Sequence, residues 1–156
     1  MPELTACLWF DTDGEEAAKF YTAVFPNSQI THVSRYGEAG PRPAGTVMTV
    51  SFELDGKPFL ALNGGPEFSF SEAISFQVDC KSQEEVDHYW STLSDGGEEG
   101  PCGWLNDRYG LSWQIVPKAL PRLLGDPDPE KSRRVTEAML RMRKLDVAEL
   151  ERAAAA

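Results

Sequence analysis

Glu15-Glu16-Ala17-Ala18-Lys19-Phe20-Tyr21 and Glu84-Glu85-Val86-Asp87-His88-Tyr89-Trp90 are two versions of one pattern. Ala17 matches Val86, Phe20 matches Tyr89, Tyr21 matches Trp90 and Val24 matches Leu93. Apolar residues at i, i+3, i+4 and i+7 mark one face of an amphipathic helix. Each pattern follows a short strand-like segment, Ala6 to Asp11 and Ile74 to Asp79, and precedes a turn and further strands. The chain therefore reads as two copies of one strand–helix–strands module. A duplicated module commonly builds a cleft between its copies, and that cleft is the expected functional feature.

Working outward from the helices, Asp13 is the expected cap of the first, with Glu16 as its capping-box partner. Ser82 and Glu85 repeat the arrangement in the second. Ile30 to Arg35 reads as a strand, and Tyr36 to Gly45, rich in Gly and Pro, as a mobile loop. Val47 to Leu54 alternates in hydropathy, Asp55-Gly56 is a hairpin signal, and Phe59 to Leu62 returns. Cys102 to Asn106 and Leu111 to Val116 form a second hairpin around Asp107-Arg108-Tyr109-Gly110. The expected organisation is a single domain over residues 1–118, with repeats at about 1–66 and 67–118, and a helical extension over 119–156. In that extension Asp126-Pro127-Asp128-Pro129 starts a helix, Val135, Met139 and Met142 form its apolar stripe, and Asp146 with Glu149 starts another. Elements this short must pack on the parent domain or on a partner subunit.

The chain has 156 residues and a net charge of −10, which disfavours nucleic acid and anionic membranes as partners. No apolar run approaches the ~20 residues needed to span a bilayer. The start, Met1-Pro2-Glu3-Leu4-Thr5, lacks the basic and apolar regions of a signal peptide, so the expected location is cytoplasmic. Cys7, Cys80 and Cys102 contain no Cys-x-x-Cys, so neither a zinc knuckle nor a thioredoxin-like site is encoded. Cys7, among Leu8, Trp9 and Phe10, reads as a buried, inert thiol.

Further blocks carry a family resemblance: Phe20-Tyr21 with Phe25-Pro26-Asn27-Ser28, Leu62-Asn63-Gly64-Gly65-Pro66, Cys102-Gly103-Trp104, and Gly110-Leu111-Ser112-Trp113-Gln114-Ile115-Val116-Pro117. With these the sequence resembles the PhnB-like branch of the vicinal oxygen chelate superfamily. Members of that branch often carry the label 3-demethylubiquinone-9 3-methyltransferase-like. The superfamily includes glyoxalase I, extradiol dioxygenases and the bleomycin and fosfomycin resistance proteins. The tail from Asp126 to Asp146 is read as part of the resemblance. It implies an α+β fold of two βαβββ modules.

The resemblance also supplies a test for metal. Glyoxalase-type members place four His, Gln or Glu ligands on the first and last strands of each module. Matching through the helix signature, give or take one residue, puts Ala6, Ala61, Ala73 and Gln114 there. Three alanines cannot coordinate, so no metal site and no cofactor are expected. His88 on a helix and His32 in a strand do not replace them. Methyl transfer is disfavoured because no G-x-G-x-x-G turn follows a strand.

If those positions face the cleft, strand alternation brings Leu8, Phe10, Phe59, Asn63, Ser75, Gln77 and Ser112 there too. Trp9, Leu60, Leu62, Ile74, Phe76, Val78, Trp113 and Ile115 then lie under the helices. The expected ligand-binding residues are Phe10, Phe59, Asn63, Ser75, Gln77, Trp104 and Gln114, suited to an uncharged or weakly polar small organic molecule. Tyr109 is a further stacking candidate. Three functions stay open: a metal-free binding protein, an enzyme using groups such as Asp107, Arg108, Ser75 and Gln114, and a structural or interaction module. A homodimer is expected, held partly by residues 130–150 with Met139, Met142 and Leu145 near the contact.

Overall fold

Small residues decide how closely the first helix approaches its sheet. A computed structural model describes residues 1–156. Helix α1 (Gly14–Val24) buries Gly14, Ala17, Ala18, Tyr21 and Val24. It lies on a sheet of β1 (Ala6–Phe10), β2 (Gln29–Arg35), β3 (Val47–Leu54) and β4 (Lys57–Asn63), in the order β1-β4-β3-β2. β1 and β4 are parallel, while β3 pairs antiparallel with both β4 and β2. Tyr21 of α1 stacks on Phe52, which stacks on Phe59.

The second module repeats this order. The sheet β5 (Ser75–Cys80), β6 (Glu98–Glu99), β7 (Trp104–Asn106) and β8 (Ser112–Pro117) is arranged β5-β8-β7-β6. Helix α2 (Gln83–Ser94) covers it with Val86, Trp90 and Leu93, the positions matched to Ala17, Tyr21 and Val24. Ser82 caps α2 by accepting from the Glu85 N–H, and Glu85 reaches back to the Lys81 N–H. The two-module α+β architecture is thus present. The two-residue strand β6 carries too little pattern to be read from sequence.

The chain forms two compact units, Met1–Phe70 and Ser71–Ala156. The C-terminal helices α3 (Ala119–Leu124), α4 (Pro129–Leu140) and α5 (Val147–Ala155) belong to the second. Their apolar faces form one core with the end of β8: Val116, Leu120, Leu123, Val135, Ala138, Leu145 and Leu150, with Met139 and Met142 packed against it. The Cys102 and Gly103 N–H groups donate to the Met142 and Arg143 carbonyls, fastening the tail to the hairpin. The tail was expected to supply a dimer contact; instead its stripe is filled from within its own unit, and Leu145 is wholly buried.

Other local expectations are also corrected. Asp13 makes no side-chain cap bond; the Gly14 N–H donates instead to Asn63 Oδ1 at 2.8 Å. Cys7 is exposed, and Cys80 is the buried thiol. The loop after β2 is pinned at its base. Tyr36 is buried, its hydroxyl donates to the Asn63 carbonyl, and its backbone bonds to Gly45 and Thr46.

Candidate functional site

Strand pairing fixes which side chains share a face, because paired residues point the same way and alternation does the rest. In the first unit Phe10 pairs with Asn63, Ala61 with Val50, and Phe59 with Phe52. These lie on the α1 side: a Cβ on Gly14 would sit 2.6 Å from Asn63 Oδ1, 3.3 Å from Ala61 and 3.4 Å from Phe10. The placement of Phe10, Phe59 and Asn63 on a ligand-lined face is therefore corrected. They belong to the helix-facing core. The reason is a slip of one residue in matching the strands, which moves a whole strand's side chains to the other face.

The face of this sheet turned away from α1 carries Cys7, Leu60, Ser51 and His32 in one row and Trp9, Leu62, Thr49 and Ser34 in the next. Trp9 is held by its indole N–H donating to the Gly65 carbonyl at 2.9 Å and by an edge contact with Phe68. A cavity of about 560 Å³ in this unit is bordered by Arg35, Arg42, Glu15, Thr46 and Asn63. Arg42 faces Asp11 at 3.9 Å, and Arg35 donates to the Gly45 carbonyl. Both ends of the Asn63 amide are spent, on the Gly14 N–H and on the Val47 carbonyl.

The second unit behaves as the alternation predicts except at Ile74, which precedes β5 and is 72 % exposed rather than under the helix. Phe76, Val78, Trp113, Ile115 and Leu105 share the side covered by α2. The opposite face carries Glu98, Asn106, Ser112 and Ser75 in one row across all four strands. Trp104, Gln114 and Gln77 form the next row. Gln114 Nε2 donates to Ser75 Oγ at 2.9 Å, which directs the amide and leaves its carbonyl oxygen as an acceptor. Gln77 is exposed and bonds to Asp79, whereas Trp104 is half-buried. Ser112 is 1 % exposed, and its hydroxyl has no hydrogen-bond partner. Trp104, Asn106 and Ser112 border a cavity of about 220 Å³, with Glu72, Glu98 and Glu99. Sequence reasoning missed Glu98 because β6 was not legible, and Asn106 with Glu72 because their bond spans 34 positions.

Two groups considered for catalysis have structural work. Asp107, 3 % exposed, accepts from the Tyr109 and Leu111 N–H groups and from the Trp113 indole at 2.8–3.1 Å. A carboxylate so surrounded anchors the turn, with both oxygens already accepting hydrogen bonds. Arg108 is directed to Asp95 at 3.2 Å.

The first and last strands of each module present Cys7, Trp9, Leu60 and Leu62 in one unit and Ser75, Gln77, Ser112 and Gln114 in the other. These include no carboxylate or imidazole, the donors that hold first-row divalent ions outside thiolate sites. Ala6 and Ala61 lie on the α1 side, and Ala73 precedes β5; only Gln114 stands as matched.

Residues 2–116 match the family model described as 3-demethylubiquinone-9 3-methyltransferase. The PhnB protein of Bacillus cereus is 36 % identical, with a TM-score of 0.66, over 74 % of this chain and 99 % of that one. Protein PA1353 of Pseudomonas aeruginosa shares the fold at 17 % identity and a TM-score of 0.63, over 75 % of this chain and 98 % of its own. A fosfomycin resistance protein, FosX, of Listeria monocytogenes, solved with Mn(II) and sulfate, shares it at 14 % identity and a TM-score of 0.50, over 75 % of this chain and 88 % of its own. No curated protein matches. The family match stops at Val116, so the tail, read from sequence as part of the resemblance, lies outside it. The chain belongs to the 3-demethylubiquinone-9 3-methyltransferase family, the PhnB-like branch of the vicinal oxygen chelate superfamily.

Proposed function

We propose that this protein binds a small organic molecule on the polar face of its second sheet, without a protein-bound transition metal. The observation that carries the reading is the Ser75–Gln114–Ser112 group. One amide is oriented with its oxygen free, beside a buried hydroxyl that nothing in the chain satisfies. Buried polar groups are ordinarily paired, and an orphan on a sheet face bordering a cavity marks a place where a ligand supplies the partner. The metal-free part rests on the donor set. Glutamine and serine oxygens alone bind divalent transition ions weakly.

Methyl transfer, which the family description names, gains no support from the Gly64-Gly65 turn. Gly64 lets the chain pass against the Trp9 ring, and Gly65 adopts a φ of +105° beside Arg42; neither opens a helix onto a cofactor. No helix is long and apolar enough to cross a membrane, and a cytoplasmic location is part of the proposal. So is a homodimer, through a surface other than the buried tail stripe.

The test is a fragment screen read by melting temperature and by amide NMR shifts. Compounds should move signals of Ser75, Trp104, Ser112 and Gln114, and Gln114→Leu should weaken them without unfolding the chain. Hits confined to other surfaces, or none at all, would remove the reading. A stoichiometric transition metal surviving dialysis would remove its metal-free part, and saturable binding of S-adenosylmethionine would favour the methyltransferase reading.

A further inference from the structure

The cavity of about 220 Å³ at the edge of the second sheet sets three glutamates, Asn106 and Ser112 beside an apolar wall that includes Trp104 and Leu105. Glu98, Asn106 and Ser112 lie in register across β6, β7 and β8, so their side chains project from one face. Asn106 Nδ2 donates to Glu72 Oε1 at 2.8 Å, which fixes that carboxylate at the rim and leaves the Asn106 carbonyl oxygen for a donor. Trp104, on the same face one row along, adds an indole. Glu99 borders the cavity from the edge strand. No Lys or Arg borders it, and none of the three glutamates forms an ion pair.

An acidic group on a surface is ordinarily a solvated patch. Here an independent feature points inward. Ser112, 1 % exposed, borders the same cavity, and its buried hydroxyl has no hydrogen-bond partner in the protein. Such a hydroxyl can accept from a donor or donate to an acceptor; beside three glutamates and the Asn106 carbonyl, a ligand bearing N–H groups suits the whole lining. We propose that the cavity receives an organic cation bearing N–H donors: a protonated primary or secondary amine, or a guanidinium. The proposal rests on the small-molecule reading above and names the charge class of its ligand.

Three physical arguments select this class. Carboxylates without cationic neighbours repel anions and attract a cation, and bonds between charged partners are the stronger kind. Trp104 offers an aromatic face for cation–π contact. A metal ion is a poorer fit, since no group of three or more Asp, Glu, His or Cys side chains converges anywhere in the chain. Glu72 stays ionised into acid, because its bond from Asn106 holds its carboxyl below the usual range. The volume, below the ~300 Å³ at which drug-sized sites begin, suits a small ligand or the amine head of a larger one.

Four probes separate charge from shape: benzylamine, benzyl alcohol, benzoate and benzyltrimethylammonium, titrated at neutral pH. The readouts are calorimetry and the NMR signals of the Trp104 indole N–H and the Asn106 side-chain amide. Benzylamine should shift both signals saturably, and benzoate should not. Benzyltrimethylammonium, which has no N–H, should bind several-fold more weakly. Glu98→Gln should lower benzylamine affinity about tenfold, the size of one charge-assisted bond. Ser112→Ala should weaken benzylamine while the unfolding midpoint holds or rises, because an unpaired buried hydroxyl has been removed. A serine that only supports the fold would show the opposite. Equal binding of benzyl alcohol or benzoate, or an unchanged affinity in Glu98→Gln, overturns the proposal. If benzylamine moves nothing here while screened compounds still bind the Ser75–Gln114 group, the charge class is wrong and the binding function stands. If nothing binds this sheet, both fall.

Discussion

Asn63 is the residue whose reading changed most between sequence and structure, and replacing it by alanine tests the change. Its side chain is 6 % exposed and ties three segments together: Oδ1 accepts from the Gly14 N–H at 2.8 Å, and Nδ2 donates to the Val47 carbonyl at 3.2 Å. Asn63→Ala leaves the Gly14 N–H, at the start of α1, buried and unpaired. That costs about 2 kcal/mol, within the range for both an orphaned buried donor and a lost helix cap, which here are one effect counted once. The Val47 bond is only partly buried and adds about 0.5–1 kcal/mol, since water can replace it. The expected loss is therefore about 3 kcal/mol, or a fall in melting temperature of roughly 6–12 °C for a chain of this size. Urea melts followed by circular dichroism give the free energy, and hydrogen exchange at the first amides of α1 locates it. Affinity for ligands of the second-unit face should be unchanged. A loss under about 0.5 kcal/mol would show that Asn63 is not the clasp of α1. Normal stability with weakened ligand binding would restore it to the ligand-contacting set.

Three further outcomes follow from the packing and the ionisable groups. Leu145→Ala, at a position with no exposure in the tail core, should cost about 2–5 kcal/mol, while the sedimentation mass stays that of the parent chain; a change of mass without loss of stability would return the tail to a dimer contact. Asp87 is held below the usual carboxylate range by Lys144, at 2.8 Å, and then by Gln83, so its contribution is present above about pH 4 and lost as pH falls through the depressed value. Asp87→Asn should accordingly flatten the acid limb of a stability-versus-pH curve, and an unaltered slope would show that the pair contributes nothing. Burial, then Glu85 and Asp79, push the Cys80 thiol up to about 12, so at pH 8 a thiol reagent should modify exposed Cys7 and reach Cys80 only on unfolding; labelling of native Cys80 at a comparable rate would contradict its burial.

The sequence by itself determined the modules. Helix faces such as Ala17-Tyr21-Val24 and Val86-Trp90-Leu93 are periodic over about two turns, and local capping at Ser82, Asp128 and Asp146 needs only neighbours in the chain. The blocks around Phe20-Tyr21 and Gly110 to Pro117 carried the family. In the second sheet, polar Ser75, Gln77, Ser112 and Gln114 against apolar Phe76, Val78, Trp113 and Ile115 made the two faces distinguishable, so their sorting survived. In the first sheet both faces are largely apolar on β1 and β4: Leu8, Phe10, Phe59 and Ala61 on one, Trp9, Leu60 and Leu62 on the other. Hydropathy could not choose between them, and only the docking of Gly14 and Ala17 against the sheet decided which side the helix covers. Asn63 as a cap, from a residue 49 positions away, and the row from Glu98 to Ser75 likewise exist only through long-range pairing. Side-chain alternation is local physics, but its absolute phase relative to the helix is a tertiary fact. The candidate site depends on that phase.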